Sequence, residues 1–202
     1  MGALNKMETT GRWSHRFLPH FDLAGIFQMI TYRLADSLPG STGVPPVSSL
    51  LERKRVEELL DSSYGSCLLK EAHFAKIVVD AWKFFDGERY DLIAYVVMPN
   101  HVHLLVKEYE EYPLSKIVHS WKSFTAHEIM KVLRSQEKHN TGGTPVLPGE
   151  IPEHIWQIEY WDRFIRNEQH FLAAVDYIHM NPEKAGLVQN CEDWLWSSSK
   201  EK

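Results

Sequence analysis

Apolar positions along the 202-residue chain change period several times, and each change marks an element. Residues 25–34 (GIFQMITYRL) mix β-branched and aromatic residues behind Gly25, which predicts a strand. A Pro-, Gly- and Ser-rich loop follows from Ser37 to Ser49. Ser48 or Ser49 then caps a helix whose apolar positions Leu51, Val56, Leu59 and Leu60 fit one stripe. After a break at Ser62–Gly65, Phe74, Ile77, Val78, Ala81 and Phe85 predict a second helix from about Leu69 to Phe85, ended by Asp86-Gly87. The stretch Tyr90 to Val106 is the most β-like and is interrupted at Met98-Pro99-Asn100. Proline cannot donate within a central ladder, so two strands of a hairpin are expected. Pro113 opens a long helix with Leu114, Ile117, Val118, Trp121, Phe124, Ile129 and Leu133 on its apolar face. Residues 136–153 lack periodicity and read as a long surface loop; their TGGTPV echoes TGVPPV at 42–47 in the manner of two Pro/Gly loops. Residues 155–165 predict a last strand. Asn167 caps a helix reaching about His179, stopped by Pro182 and followed by Gly186.

The order is strand, two helices, hairpin, long helix, strand, helix. It predicts an α+β fold of the ferredoxin-like kind, an antiparallel sheet with helices packed on it, in one domain over 1–202 with an insertion loop at about 136–153. At this length a chain buries about 70% of its unfolded surface, so neither disulfides nor metal are needed for a core. No apolar run approaches the roughly 20 residues of a membrane span. The N-terminus has no signal-peptide pattern, and Cys67 and Cys191 make no disulfide framework, which points to a reducing cytoplasm.

Charge changes the picture little at first. Twenty-two basic against 27 acidic residues give a net charge of −5, which argues against tight nonspecific DNA binding. The distribution is uneven. Residues 113–140 carry Lys116, Lys122, Lys131, Arg134 and Lys138 against Glu128 and Glu137, whereas residues 86–111 are acidic. A local basic patch is compatible with this pattern, and so are ordinary solvated faces.

Two places carry candidate chemistry. In a strand, His101 and His103 share one face while Val102, Leu104 and Val106 share the other. Two imidazoles two residues apart can chelate a divalent cation, or be two unrelated surface histidines; opening a strand after a Pro-Asn turn makes the pair rigid and reachable. In the last helix, Phe171, Ala174, Val175 and Ile178 form the core stripe, and Tyr177 and Asn181 lie together on its flank. Tyr177 is either boundary packing or a nucleophile. As a nucleophile it needs a nearby cation, because its free pKa is about 10.

These residues sit in wider motifs. YVVMPNHVHLLV (95–106) resembles the HUH motif of single-tyrosine transposases, and DYIHMNPEKAGLV (176–188) resembles the tyrosine helix of their branch associated with repetitive extragenic palindromes (REP). FQMITYRLADSLP (27–39), SYGSCLL (63–69), SKIVHSWKSFTAHEI (115–129), IWQIEYWDRFIRNEQHF (155–171) and EDWLWSS (192–198) extend the likeness over nearly the whole chain except the 136–153 loop. The resemblance implies a ferredoxin-like fold and a transposase-like enzyme that cuts and rejoins single-stranded DNA beside imperfect hairpins through a 5′-phosphotyrosine. It implies Tyr177 as nucleophile, with His101, His103 and Asn181 holding Mg²⁺ or Mn²⁺. A hairpin partner would be read by cations and stacking aromatics, for which Arg33, Lys116, Lys122, Arg163, Arg166, Trp121 and Trp156 are candidates. The chain is expected to act as a monomer or homodimer away from membranes. A hairpin-binding protein that no longer cuts is the alternative, and a metal- or RNA-binding domain with no DNA role is a third.

Overall fold

The computed structural model describes residues 12–15, 19–22, 25–38, 50–139 and 151–200. An N-terminal ribbon of β1 (Arg12–His15) and β2 (Pro19–Asp22) pairs antiparallel. It was not among the expected elements. The remaining strands are β3 (Phe27–Arg33), β4 (Tyr90–Val97), β5 (His101–Glu108) and β6 (Trp161–Phe164), and the helices are α1 (Leu50–Asp61), α2 (Ala72–Lys83), α3 (Leu114–His139) and α4 (Glu168–Lys184).

The four longer-range strands form one antiparallel sheet in the order β4-β5-β3-β6, and with helices on both faces the α+β, ferredoxin-like expectation holds. The β4–β5 hairpin turns through Met98-Pro99-Asn100 as expected, and Met98 N–H closes it on the His101 carbonyl at 2.9 Å. Alternation along the strands separates two cores. Ile30, Tyr32, Tyr95, Val97, Val102, Leu104 and Val106 pack with α2 and α3. Ala94, Val96 and Leu105 on the other face pack with Ala174 and Ile178 of α4. The small Ala94 and Val96 let α4 approach that face closely.

Three boundaries differ from expectation. The proposed strand at 155–165 is regular only over Trp161–Phe164, with a single bridge from Trp156 to Leu34 upstream. α3 runs on to His139, so the first residues of the expected 136–153 loop are helical, and residues 140–150 lie outside the described residues. The 39–49 loop, its Ser48 or Ser49 cap and both TG-Pro motifs also fall outside them. α4 continues through Pro182 to Lys184 instead of stopping there. Proline in a last turn forfeits one helical N–H, while Ala185 N–H still reaches the Asn181 carbonyl at 3.0 Å and Leu187 N–H the Pro182 carbonyl at 2.9 Å.

The C-terminal residues close the outer edge of the sheet. Val97 N–H bonds the Trp196 carbonyl at 2.9 Å, and Trp194 Nε1 donates to the Val97 carbonyl at 2.9 Å. A tail laid along β4 leaves less edge for another chain to pair with.

Candidate active site

β5 projects His101 and His103 toward the α4 face, in register with Arg33 and Thr31 of β3. Both imidazoles are buried, and their ring centroids are 4.8 Å apart. A chain of contacts orients the first. Gly65 has φ +90°, and a Cβ there would sit 2.5 Å from the Asp36 carbonyl oxygen, so only glycine fits. That turn presents the Tyr64 carbonyl, which accepts from Asn100 Nδ2 at 2.9 Å. The fixed amide turns Oδ1 toward His101 Nδ1, 2.7 Å away. An amide oxygen only accepts, so Nδ1 carries the proton and Nε2 keeps its lone pair. Thr31 Oγ1 lies 2.7 Å from His103 Nδ1 and holds the second ring in place.

α4 supplies the rest. Asn167 caps it, its Oδ1 accepting from His170 N–H at 2.8 Å. With Ala174 and Ile178 in the core, Tyr177 and Asn181 fall on the flank facing β5, as their spacing predicts. The Tyr177 ring stands edge-on to His103 at 5.2 Å between centroids. His103 Nε2 and Asn181 Oδ1 are both buried with no hydrogen-bond partner. Buried polar atoms left without a partner are costly.

Burial holds both histidines neutral. His103 is pushed down to about 3, and His101 falls well below its ordinary range through burial and then the neighbouring His103. Neutral imidazoles and an amide oxygen suit a divalent cation with open positions, so these residues fit the metal that the resemblance implies. Among the described residues no three His, Cys, Asp or Glu converge as a metal-binding group.

Around Tyr177 lies a cluster that the sequence reading missed. The phenol donates to Glu57 Oε1 of α1 at 2.7 Å. Lys184 Nζ stands over the Tyr177 ring, 5.5 Å from its centroid. Burial raises the Tyr177 pKa above its ordinary value, the Glu57 hydrogen bond and charge and the Asp61 charge add to this, and Asn181 opposes it. Asp61, one turn after Glu57, is itself raised by burial and by the Glu57 charge. The Glu57/Asp61 spacing was visible on a helix, but it is common on any solvated helix face and names no partner.

The expected DNA contacts divide. Trp121 and Trp156 are core residues, their indole N–H groups bonded to Tyr90 Oη and Thr125 Oγ1 at 2.9 Å each, so neither offers a face for stacking. Arg33 is buried and donates to Ser37 Oγ at 3.0 Å, with burial lowering its pKa to about 10. Lys122 Nζ is held by the Gln157 and Ile158 carbonyls at 2.6 Å each, and burial pushes it down to about 8. These four therefore serve the fold rather than an exposed DNA surface. Lys116, Arg163 and Arg166 remain exposed. Arg163 pairs with Met29 and so lies on the histidine face of the sheet, whereas Lys116 belongs to α3 on the opposite face.

Residues 76–181, just over half of the chain, match the model of the family described as "Transposase IS200 like". The chain belongs to the IS200-like transposase family. The match contains His101, His103, Tyr177 and Asn181 and excludes Glu57. Over 111 residues the chain is 28% identical to the REP-associated tyrosine transposase of Escherichia coli, covering 54% of each protein. A Haemophilus influenzae protein provisionally named for the same class is 27% identical over 114 residues, 54% of this chain and 58% of that one. The chain thus spans little more than half the length of these relatives. A solved REP-associated tyrosine transposase bound to a REP hairpin shares the fold, with a TM-score of 0.53 at 18% identity over 93% of this chain and 83% of that one.

Proposed function

We propose that this chain is a metal-dependent, transposase-like enzyme that nicks and rejoins single-stranded DNA beside palindromic hairpins. The observation that carries the reading is the packing of the Tyr177 ring edge-on to His103, with His101 and Asn181 beside the pair, where His103 Nε2 and Asn181 Oδ1 are buried without a partner. A Mg²⁺ or Mn²⁺ ion held by those three residues would supply Lewis acidity toward the scissile phosphate and its departing 3′-oxygen.

The chain's own residues do the rest. Tyr177 Oη attacks phosphorus: the Oη–P bond forms, the P–O3′ bond breaks, the phenol loses its proton and the 3′-oxygen gains one. The products are a 5′-phosphotyrosine and a free 3′-OH. Phenoxide leaves more readily than alkoxide, so an incoming 3′-OH can reverse the step without ATP. Attack by water would lose the rejoining end, so rejoining requires positioning of that end beside the phosphotyrosine. The hairpin is proposed as partner because the solved neighbour holds one and both relatives are named for REP association.

The test is incubation with labelled single-stranded hairpin oligonucleotides from the gene's own neighbourhood, with and without Mg²⁺ or Mn²⁺, beside Tyr177→Phe. A covalent protein–DNA adduct that needs the metal and disappears in the variant is expected. Tight hairpin binding without an adduct would instead make this a hairpin-binding protein.

A further inference from the structure

A nucleophilic phenol must lose its proton, and the two histidines are poorly placed to take it. Each already engages a partner through Nδ1, and in the reading above each commits its other nitrogen to the cation. The Tyr177 hydroxyl points elsewhere, to Glu57 Oε1 at 2.7 Å. Glu57 comes from α1, 120 residues away in sequence and outside the segment that matches the family model. It is half-buried, as is Tyr177, so the contact is a defined meeting of two elements rather than a loose surface pair.

We propose that Glu57 is the general base of this site. It takes the phenol proton as the Tyr177 Oη–P bond forms and the P–O3′ bond breaks; the departing 3′-oxygen is protonated from solvent. In the rejoining step the incoming 3′-OH loses its proton to solvent, and Glu57 returns the held proton to the departing tyrosine oxygen. The neighbours fit both directions. Asp61 stands close enough on α1 for the two carboxylates to repel, and a proton arriving on Glu57 relieves that repulsion. Lys184 over the ring favours negative charge as it develops on the phenol. This role rests on the strand-transfer reading above.

The experiment measures single-turnover adduct formation on a labelled single-stranded hairpin oligonucleotide with Mg²⁺, for wild type, Glu57→Gln and Glu57→Ala. Oligonucleotide affinity and thermal melting are measured alongside. Glutamine keeps the hydrogen-bond acceptor and the shape of Glu57 but not its basicity. Both variants should slow adduct formation by about 10²–10⁴-fold with oligonucleotide affinity little changed, and added formate should restore part of the Glu57→Ala rate. A Glu57→Gln rate near wild type would reduce Glu57 to a positioning contact, and a faster variant would make it a restraint; either overturns the proposal. If Glu57→Ala fails to fold, the isosteric Glu57→Gln decides alone. A wild-type chain that forms no adduct overturns the strand-transfer reading itself and Glu57's role with it, whereas a wild-type adduct with an unimpaired Glu57→Gln overturns only the latter.

Discussion

His103 stays neutral because an imidazolium between β3, β5 and α4 would have no water to solvate it. That has a consequence for the metal-free chain. In the unfolded state the ring takes a proton near its ordinary 6.5, but in the folded state only near 3. Between those values the unfolded chain binds more protons, so stability is full above about pH 6.5 and falls as pH drops toward 3. The slope for this one group is about 1.4 kcal/mol per pH unit. Urea unfolding between pH 7 and 4 should show a steeper loss for wild type than for His103→Gln; parallel curves would mean that the ring is not held neutral by burial. The residues of the site were unevenly legible at this scale. For His101, His103, Tyr177 and Asn181, strand and helix periods put each pair on one face, and the resemblance to the HUH and tyrosine-helix motifs gave the pairs their expected roles. Glu57 was not legible, because its partner lies on another element. Trp121 and Trp156 were misread because an aromatic ring looks the same in sequence whether it stacks on a base or fills a core.

At the scale of elements, the β4–β5 hairpin was written in Met98-Pro99-Asn100, and α4 in its Asn167 cap and core stripe. The turn at 63–67 carried a recognisable motif whose purpose appears only when it meets the hairpin. Gly65 lets the turn approach Asp36, and through the Tyr64 carbonyl and Asn100 it fixes the His101 ring. Gly65→Ala should therefore have two effects. It should destabilise the fold by more than about 1 kcal/mol, since both φ and the space are wrong for a Cβ. It should also weaken Mn²⁺ binding by about 10–100-fold, as loss of a partner that orients a ligand does. Urea unfolding and a metal titration separate the two; lost stability with unchanged metal affinity would uncouple the turn from the site.

For the molecule as a whole, a net charge of −5 means that any DNA surface must be local. Arg163 and Arg166 lie close enough to His170, at the start of α4, for their charges to lower its pKa after burial does. Arg163 is on the histidine face and Lys116 is not. Arg163→Ala should weaken hairpin-oligonucleotide binding and flatten the dependence of log Kobs on log salt by about 0.7, the increment for one lost phosphate contact on single strands. Lys116→Ala should leave that slope unchanged. A salt-titrated binding assay decides between them, and equal effects would place the DNA across both faces.

By itself the sequence determined the α+β class, the hairpin, the long helix and the two pairs His101/His103 and Tyr177/Asn181, because each follows from a local period of two or of 3.6. Only the tertiary structure decided how those pairs meet, which cations stay at the surface and what the Tyr177 hydroxyl touches. Contacts such as Glu57 with Tyr177 depend on how α1 and α4 dock on one sheet, and no local period along the chain records that docking.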